Sequence, residues 1–162
     1  MKNLFIHIGL PKTGSSALQV FLAKNAQKLL SHSYDYFRIG QFDAGYNGLI
    51  ASGNGSQLSR CLLPNKHPSY LGSAYIVDSF LTHLRTNEVA NGILSSELFV
   101  EADKEKMISL IDEIKALDIS VKFIYFIRSQ DQILSSMYIQ QVKRHGCTTQ
   151  PDVHIMNNDV RP

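Results

Sequence analysis

Three things are scarce in these 162 residues: cysteine, an excess of charge of either sign, and long apolar runs. The two cysteines, Cys61 and Cys147, stand far apart in no metal-ligand pattern. Free thiols in a reducing compartment are expected, not a disulfide framework. The six histidines (His7, His32, His67, His83, His145 and His154) form no HxxxH or similar pair, so no metal centre is expected. Lys and Arg number 16 and Asp and Glu 14, for a net charge of +2. That balance is too even for the broad basic face of a nucleic-acid binder, but it leaves room for a local basic pocket around a small anion. The apolar run Leu4–Leu10 is short, contains His7 and lacks a small-residue cleavage site. Neither a membrane span nor an export signal is expected from it, and a cytoplasmic protein is the default expectation.

The composition that remains is 44% hydrophobic and 19% charged, as in an ordinary globular domain. One domain over 1–162 is expected, large enough for a core without disulfide or metal staples. Residues 3–8 form a compact apolar run ending at Gly9, which predicts a buried strand. A loop follows, Gly9-Leu10-Pro11-Lys12-Thr13-Gly14-Ser15-Ser16, and then helical spacing at Leu18, Phe21, Leu22 and Leu29. Residues 31–73, rich in glycine and with prolines at 64 and 68, read as loops with short helical pieces. Residues 74–86 and 103–117 carry amphipathic helical patterns, and a helix from Asp131 to His145 is stopped by Gly146. Strands are predicted at Ile93–Glu97 and, most strongly, at Val121–Ile127. Alternating strands and helices predict an α/β fold, a parallel sheet flanked by helices, whose ligand site lies at the carboxyl ends of the strands.

Those ends carry polar chemistry. A strand feeding a glycine-containing turn and a helix is a ready anion site, because backbone N–H groups and the helix dipole point at one place. Gly9 and Gly14 are spaced as in the nucleotide-triphosphate loop G-x-x-x-x-G-K-[ST], but Ser15 stands where that motif needs Lys. The loop's lysine is Lys12, before the second glycine. The plainer alternative is a turn capping a helix, with Lys12 solvated. Correct flanks and the packing of one Lys, one Thr and two Ser into six residues favour the anion site. Arg128, after the strongest strand, offers a planar fork for a phosphate. Ser136, in the second turn of the next helix, can face the same pocket. A surface Arg128 paired with Asp131 is the alternative. Ser95-Ser96-Glu97 puts a carboxylate at a strand end, where it serves either as a general base beside the loop or as a capping or solvated residue.

The segment Ile8–Leu18, with its Pro11-Lys12-Thr13-Gly14-Ser15-Ser16 core, resembles the phosphosulfate-binding loop of the sulfotransferase family. The segment Ile124–Tyr138, with Arg128 and Ser136 eight residues apart, resembles that family's second signature. Ser95-Ser96-Glu97 lies between them, where the family carries a His or Glu base. The resemblance implies transfer of a sulfuryl group from 3′-phosphoadenosine-5′-phosphosulfate (PAPS) to an acceptor hydroxyl, leaving adenosine 3′,5′-bisphosphate (PAP). It implies that Lys12, Thr13, Gly14, Ser15 and Ser16 hold the 5′-phosphosulfate, with Lys12 neutralising charge on the leaving phosphate. Arg128 and Ser136 would bind the 3′-phosphate, and Glu97 would take the acceptor proton; no metal is required. Tyr46, Asn47, Asn54 and Tyr70, in the loop-rich stretch 40–73, are expected on the acceptor side, and a carbohydrate acceptor is favoured. The resemblance covers the donor-binding part of the family domain. Against the family the chain reads as truncated after the Ser136 helix, and a partly uncovered core would favour self-association. A nucleotide kinase and a non-catalytic anion-binding module of the same fold are the competing readings.

Overall fold

A computed structural model describes residues 1–10, 12–49 and 52–150. Pro11 of the loop motif, His154 and the closing stretch 157–162 lie outside the described residues. Four strands form one parallel sheet: β1 (Asn3–Ile8), β2 (Tyr34–Tyr36), β3 (Asn91–Ser96) and β4 (Ser120–Ile124), in the spatial order β2-β3-β1-β4. The apolar run at 3–8 becomes the interior strand because it must be covered on both faces and both edges. Its residues pair in register with Asn91–Ser96 on one side and with Ser120–Ile124 on the other.

Helices connect the strands: α1 (Ser15–Lys24), α2 (Ala26–Ser31), α3 (Phe42–Tyr46), α4 (Ser56–Leu62), α5 (Ala74–Thr86), α6 (Lys104–Lys115) and α7 (Gln130–His145), with a 3₁₀ turn at Glu97–Glu101. The alternation of side chains along the strands divides the core. Leu4, Ile6 and Leu94 point to one face and pack with Leu58, Phe80, Leu84, Leu110 and Ile114 of α4, α5 and α6. On the other face Leu22, Ala23 and Ala26 of α1 and α2 pack with Tyr36, Phe42 and Ile93. The spacing of the amphipathic segments is realised in α5 and α6. The Asp103 carboxylate caps α6 by accepting from the N–H groups of Glu105 and Lys106, both at 3.1 Å.

Four local expectations change. The helical pattern running through Leu29 is broken at Asn25, whose side-chain amide donates to the Phe21 carbonyl at 2.8 Å and ends α1 there. The aromatic stretch read as loop contains β2, three residues held by pairing to Asn91–Ile93 and not by any alternation of its own. The strand expected over Val121–Ile127 ends at Ile124, and the strand expected through Glu97 ends at Ser96. β4 stops because its partner does: His7 pairs with Ile124, and beyond Ile8 the chain of β1 turns away into the loop. β4 is also an edge strand. Phe123 is 47% exposed and Ile127 83%, and α7 buries none of its residues. No helix among the described residues is long and apolar enough to cross a membrane.

One buried side chain continues the sheet where β2 ends. Asn54 accepts from the Ser95 N–H at 2.8 Å and donates to the carbonyls of Phe37 (3.1 Å) and Ile93 (3.0 Å). The Gly55 N–H then donates to the Ser95 carbonyl at 2.9 Å. Asn54 therefore stands in for a fourth β2 residue and clamps the carboxyl end of β3. Replacing Asn54 with Ala strands three backbone groups away from water, so a loss of about 2–4 kcal/mol is expected. At this chain length that is a drop of about 5–15 °C in Tm, measurable by thermal and urea unfolding. A loss under about 1 kcal/mol would show that the clamp is not needed.

Candidate functional site

The loop after β1 is shaped by two left-handed residues, Lys12 (φ 63°) and Gly14 (φ 89°). Gly14 takes that conformation without penalty, whereas Lys12 carries a Cβ and is held there by its surroundings. The Arg128 guanidinium donates to the Lys12 carbonyl at 2.8 Å, and the Thr13 hydroxyl donates to the Leu10 carbonyl at 2.7 Å. α1 then begins at Gly14 with no side-chain cap and no acidic residue in its first turn. Leu18 N–H makes the first helical bond, to the Gly14 carbonyl. The preceding donors, on Ser15, Ser16 and Ala17, face the end of the helix with no side chain among the described residues capping them, the kind of helix start that can receive an anion.

Beneath the loop lies a polar cluster that the sequence reading did not identify. His7 and Ser95 are register partners, and their Nδ1 and Oγ atoms share a hydrogen bond of 2.8 Å. The Gln19 amide donates to the same Ser95 oxygen at 3.3 Å. His7 is 2% exposed, and burial holds its pKa down, in the direction of a neutral ring. β1, β3 and α1 are thus tied together directly under the loop. Only the alternation of His7 with Leu4 and Ile6 hints at this in the sequence, because it sends His7 to the face that α1 covers.

The strand-end trio divides its work. Ser95 belongs to the buried cluster. Ser96 caps the 3₁₀ turn, accepting from the Leu98 N–H at 3.2 Å and bonding to Ser59 at 2.9 Å. With capping done by Ser96, Glu97 is free to turn toward the loop. Gly9 is what lets it approach: a Cβ there would lie 2.6 Å from Ser15 Oγ and 2.8 Å from Glu97 Cγ. Burial pushes the Glu97 carboxyl upward, while the Lys12 charge and the Ser15 hydroxyl pull it back.

Lys12, Gly14, Ser15, Ser16 and Glu97 line one cavity of about 360 Å³, and α7 supplies its remaining wall through Gln140 and Arg144. Five of the expected residues therefore meet. Thr13, Arg128 and Ser136 are not among the lining residues. The Thr13 hydroxyl is spent inside the loop. Arg128 is braced by the Lys12 carbonyl and Gln132 Oε1 (3.1 Å), not by hydrogen bonding to Asp131. Ser136 lies one turn before Gln140 on the same stripe of α7. Gln140 and Arg144 were missed, although they stand four and eight residues after Ser136, at helical spacing. None of Tyr46, Asn47, Asn54 and Tyr70, expected on the acceptor side, is among the residues that line this cavity. Asn54 spends its amide on backbone, Tyr46 stacks on Phe42, and Tyr70 lies under the Lys106 ammonium at 4.0 Å. Among the described residues no cluster of three or more His, Cys, Asp or Glu could hold a metal ion. Compared with protein-family models, curated proteins and solved structures, the chain matches none of them.

The Glu97 titration reports this geometry. Its folded pKa is above its unfolded one, so between about pH 4.3 and the raised value the native state binds the extra proton, and stability falls as pH rises. Glu97→Gln is expected to remove that slope and to match or exceed the wild-type stability at neutral pH, with the advantage gone in acid. Lys12→Ala is expected to push the Glu97 carboxyl further up, and Ser15→Ala to push it up by less. Carboxyl carbon chemical shifts followed by NMR against pH check all three. An unmoved Glu97 in Lys12→Ala would mean that the two charges do not share the cavity.

Proposed function

We propose that the chain is a PAPS-dependent sulfotransferase that sulfates a hydroxyl of a carbohydrate acceptor. The observation that carries this reading is the meeting of three groups in one cavity: the uncapped start of α1, the Lys12 side chain and the carboxylate of Glu97. The first two suit the phosphosulfate end of a donor, and the third suits the acceptor's proton. Their resemblance to the sulfotransferase motifs supports the choice of sulfuryl over phosphoryl transfer.

In this reading the backbone and hydroxyls of Ser15 and Ser16 orient the donor's 5′ end, and Lys12 sits where negative charge grows on the leaving phosphate oxygen. PAPS supplies an activated sulfuryl group: the acceptor oxygen bonds to sulfur as the bond from sulfur to the bridging phosphate oxygen breaks. Glu97 takes the acceptor's hydroxyl proton, and its raised pKa makes it a better base than a solvated carboxylate. Arg128, already fastened to the loop, and Ser136 on α7 are assigned to the 3′-phosphate, the group that distinguishes PAP from 5′-AMP.

A thermal-shift titration tests donor recognition. PAP at a hundred times its Kd is expected to add about 2.7 kcal/mol, a rise of about 5–10 °C, with 5′-AMP giving far less. With PAPS and an accepted sugar, Lys12→Ala is expected to lower kcat by about a hundredfold or more. Undiminished turnover in that variant would remove Lys12 from the mechanism. No preference for PAP over 5′-AMP would overturn the donor assignment. A shift with ATP that needs magnesium would favour the kinase reading. PAP binding without transfer to any sugar would leave a non-catalytic module.

A further inference from the structure

Two residues of the cavity have no part in that scheme. Gln140 and Arg144 stand one turn apart on α7 and line the same space as Lys12, Ser15, Ser16 and Glu97. The charges are uneven. Lys12 is offset by Glu97, whose carboxyl feels it. Arg144 is exposed, and among the described residues no carboxylate pairs with it. The cavity is left with one surplus positive charge, on the side chain best suited to grip a planar anion with two parallel hydrogen bonds.

Compensation of the α7 dipole is a plainer use for a cation in the last turn. Lys143 and His145 already occupy that turn, and neither lines the cavity. Arg128 does not share this role: it is not among the lining residues, and its guanidinium is held by the Lys12 carbonyl and Gln132 Oε1. The phosphosulfate end has its own partners in Lys12 and the start of α1. What remains for Arg144 is the acceptor, held where Glu97 can reach its hydroxyl.

We propose that Gln140 and Arg144 form the acceptor subsite and select a sugar carrying a carboxylate beside the hydroxyl to be modified. Arg144 grips the carboxylate. The Gln140 amide, which both donates and accepts, serves a neighbouring sugar hydroxyl. This inference rests on the sulfotransferase reading, and the test separates the two.

Isothermal titration on the full chain first measures PAP binding. On the PAP-saturated protein it then compares p-nitrophenyl β-D-glucuronide with p-nitrophenyl β-D-glucoside, probes of one shape that differ in the carboxylate. The glucuronide is expected to bind about tenfold more tightly or better. Arg144→Ala is expected to erase that preference and Arg144→Lys to keep part of it, with PAP affinity unchanged within about twofold in both. Circular dichroism confirms that the variants fold. Failure of the wild type to bind PAP overturns the sulfotransferase reading and this subsite with it. PAP binding with no preference between the glycosides, or with neither bound, overturns the subsite alone. Loss of PAP affinity in Arg144→Ala makes Arg144 a donor contact and also overturns the subsite.

Discussion

The parallel pairing of β1 on both its edges is the constraint on which the site depends. With His7 opposite Ser95 on one side and Ile124 on the other, the carboxyl ends of three strands finish at nearly one level. The loop after β1, the turn bearing Glu97 and the segment bearing Arg128 leave the sheet side by side. A slip of one residue would send His7 to the apolar face and bring Leu4 and Ile6 out of it. The His7–Ser95–Gln19 cluster makes the correct register recognisable, because only there do these buried polar groups find one another.

From that frame the electrostatics follow. The loop places Lys12 and Gly14 in left-handed conformations and opens α1 without a capping side chain, so backbone donors and one lysine face the same cavity. Glu97 reaches it because Ser96 does the capping and because Gly9 has no side chain in the way. Arg128 contributes from behind, holding the Lys12 carbonyl and so the shape of the loop. The structure thus separates the groups that touch the cavity from those that hold its wall in place, a division that the order of residues along the chain does not reveal.

The other side of the molecule is less complete. β4 pairs on one edge only, and Phe123, Tyr125 and Ile127 keep much of their surface exposed. α7 meets the loop through Arg128 and the cavity through Gln140 and Arg144, yet buries nothing. A helix so held owes little to hydrophobic packing. Its ends carry Asp131 in the first turn, basic residues in the last and a left-handed Gly146 at the close.

The α/β alternation of strands and helices, the interior place of residues 3–8 and the glycine turn that opens α1 were determined by the sequence alone. Each is a local property: a run of apolar residues, a helical period, a glycine next to a helix start. Only the tertiary structure decided which polar residues share a cavity. Asn54 looked like a binding residue and became a sheet clamp, because β2 ends one pairing short and the backbone groups of β3 needed a partner. Gln140 and Arg144, which carry no signal in the sequence beyond their helical spacing from Ser136, form a cavity wall because Arg128 and the end of β4 lay α7 beside the loop. β2 itself exists through its neighbour. Such assignments depend on contacts between residues dozens of positions apart, and no local period encodes them.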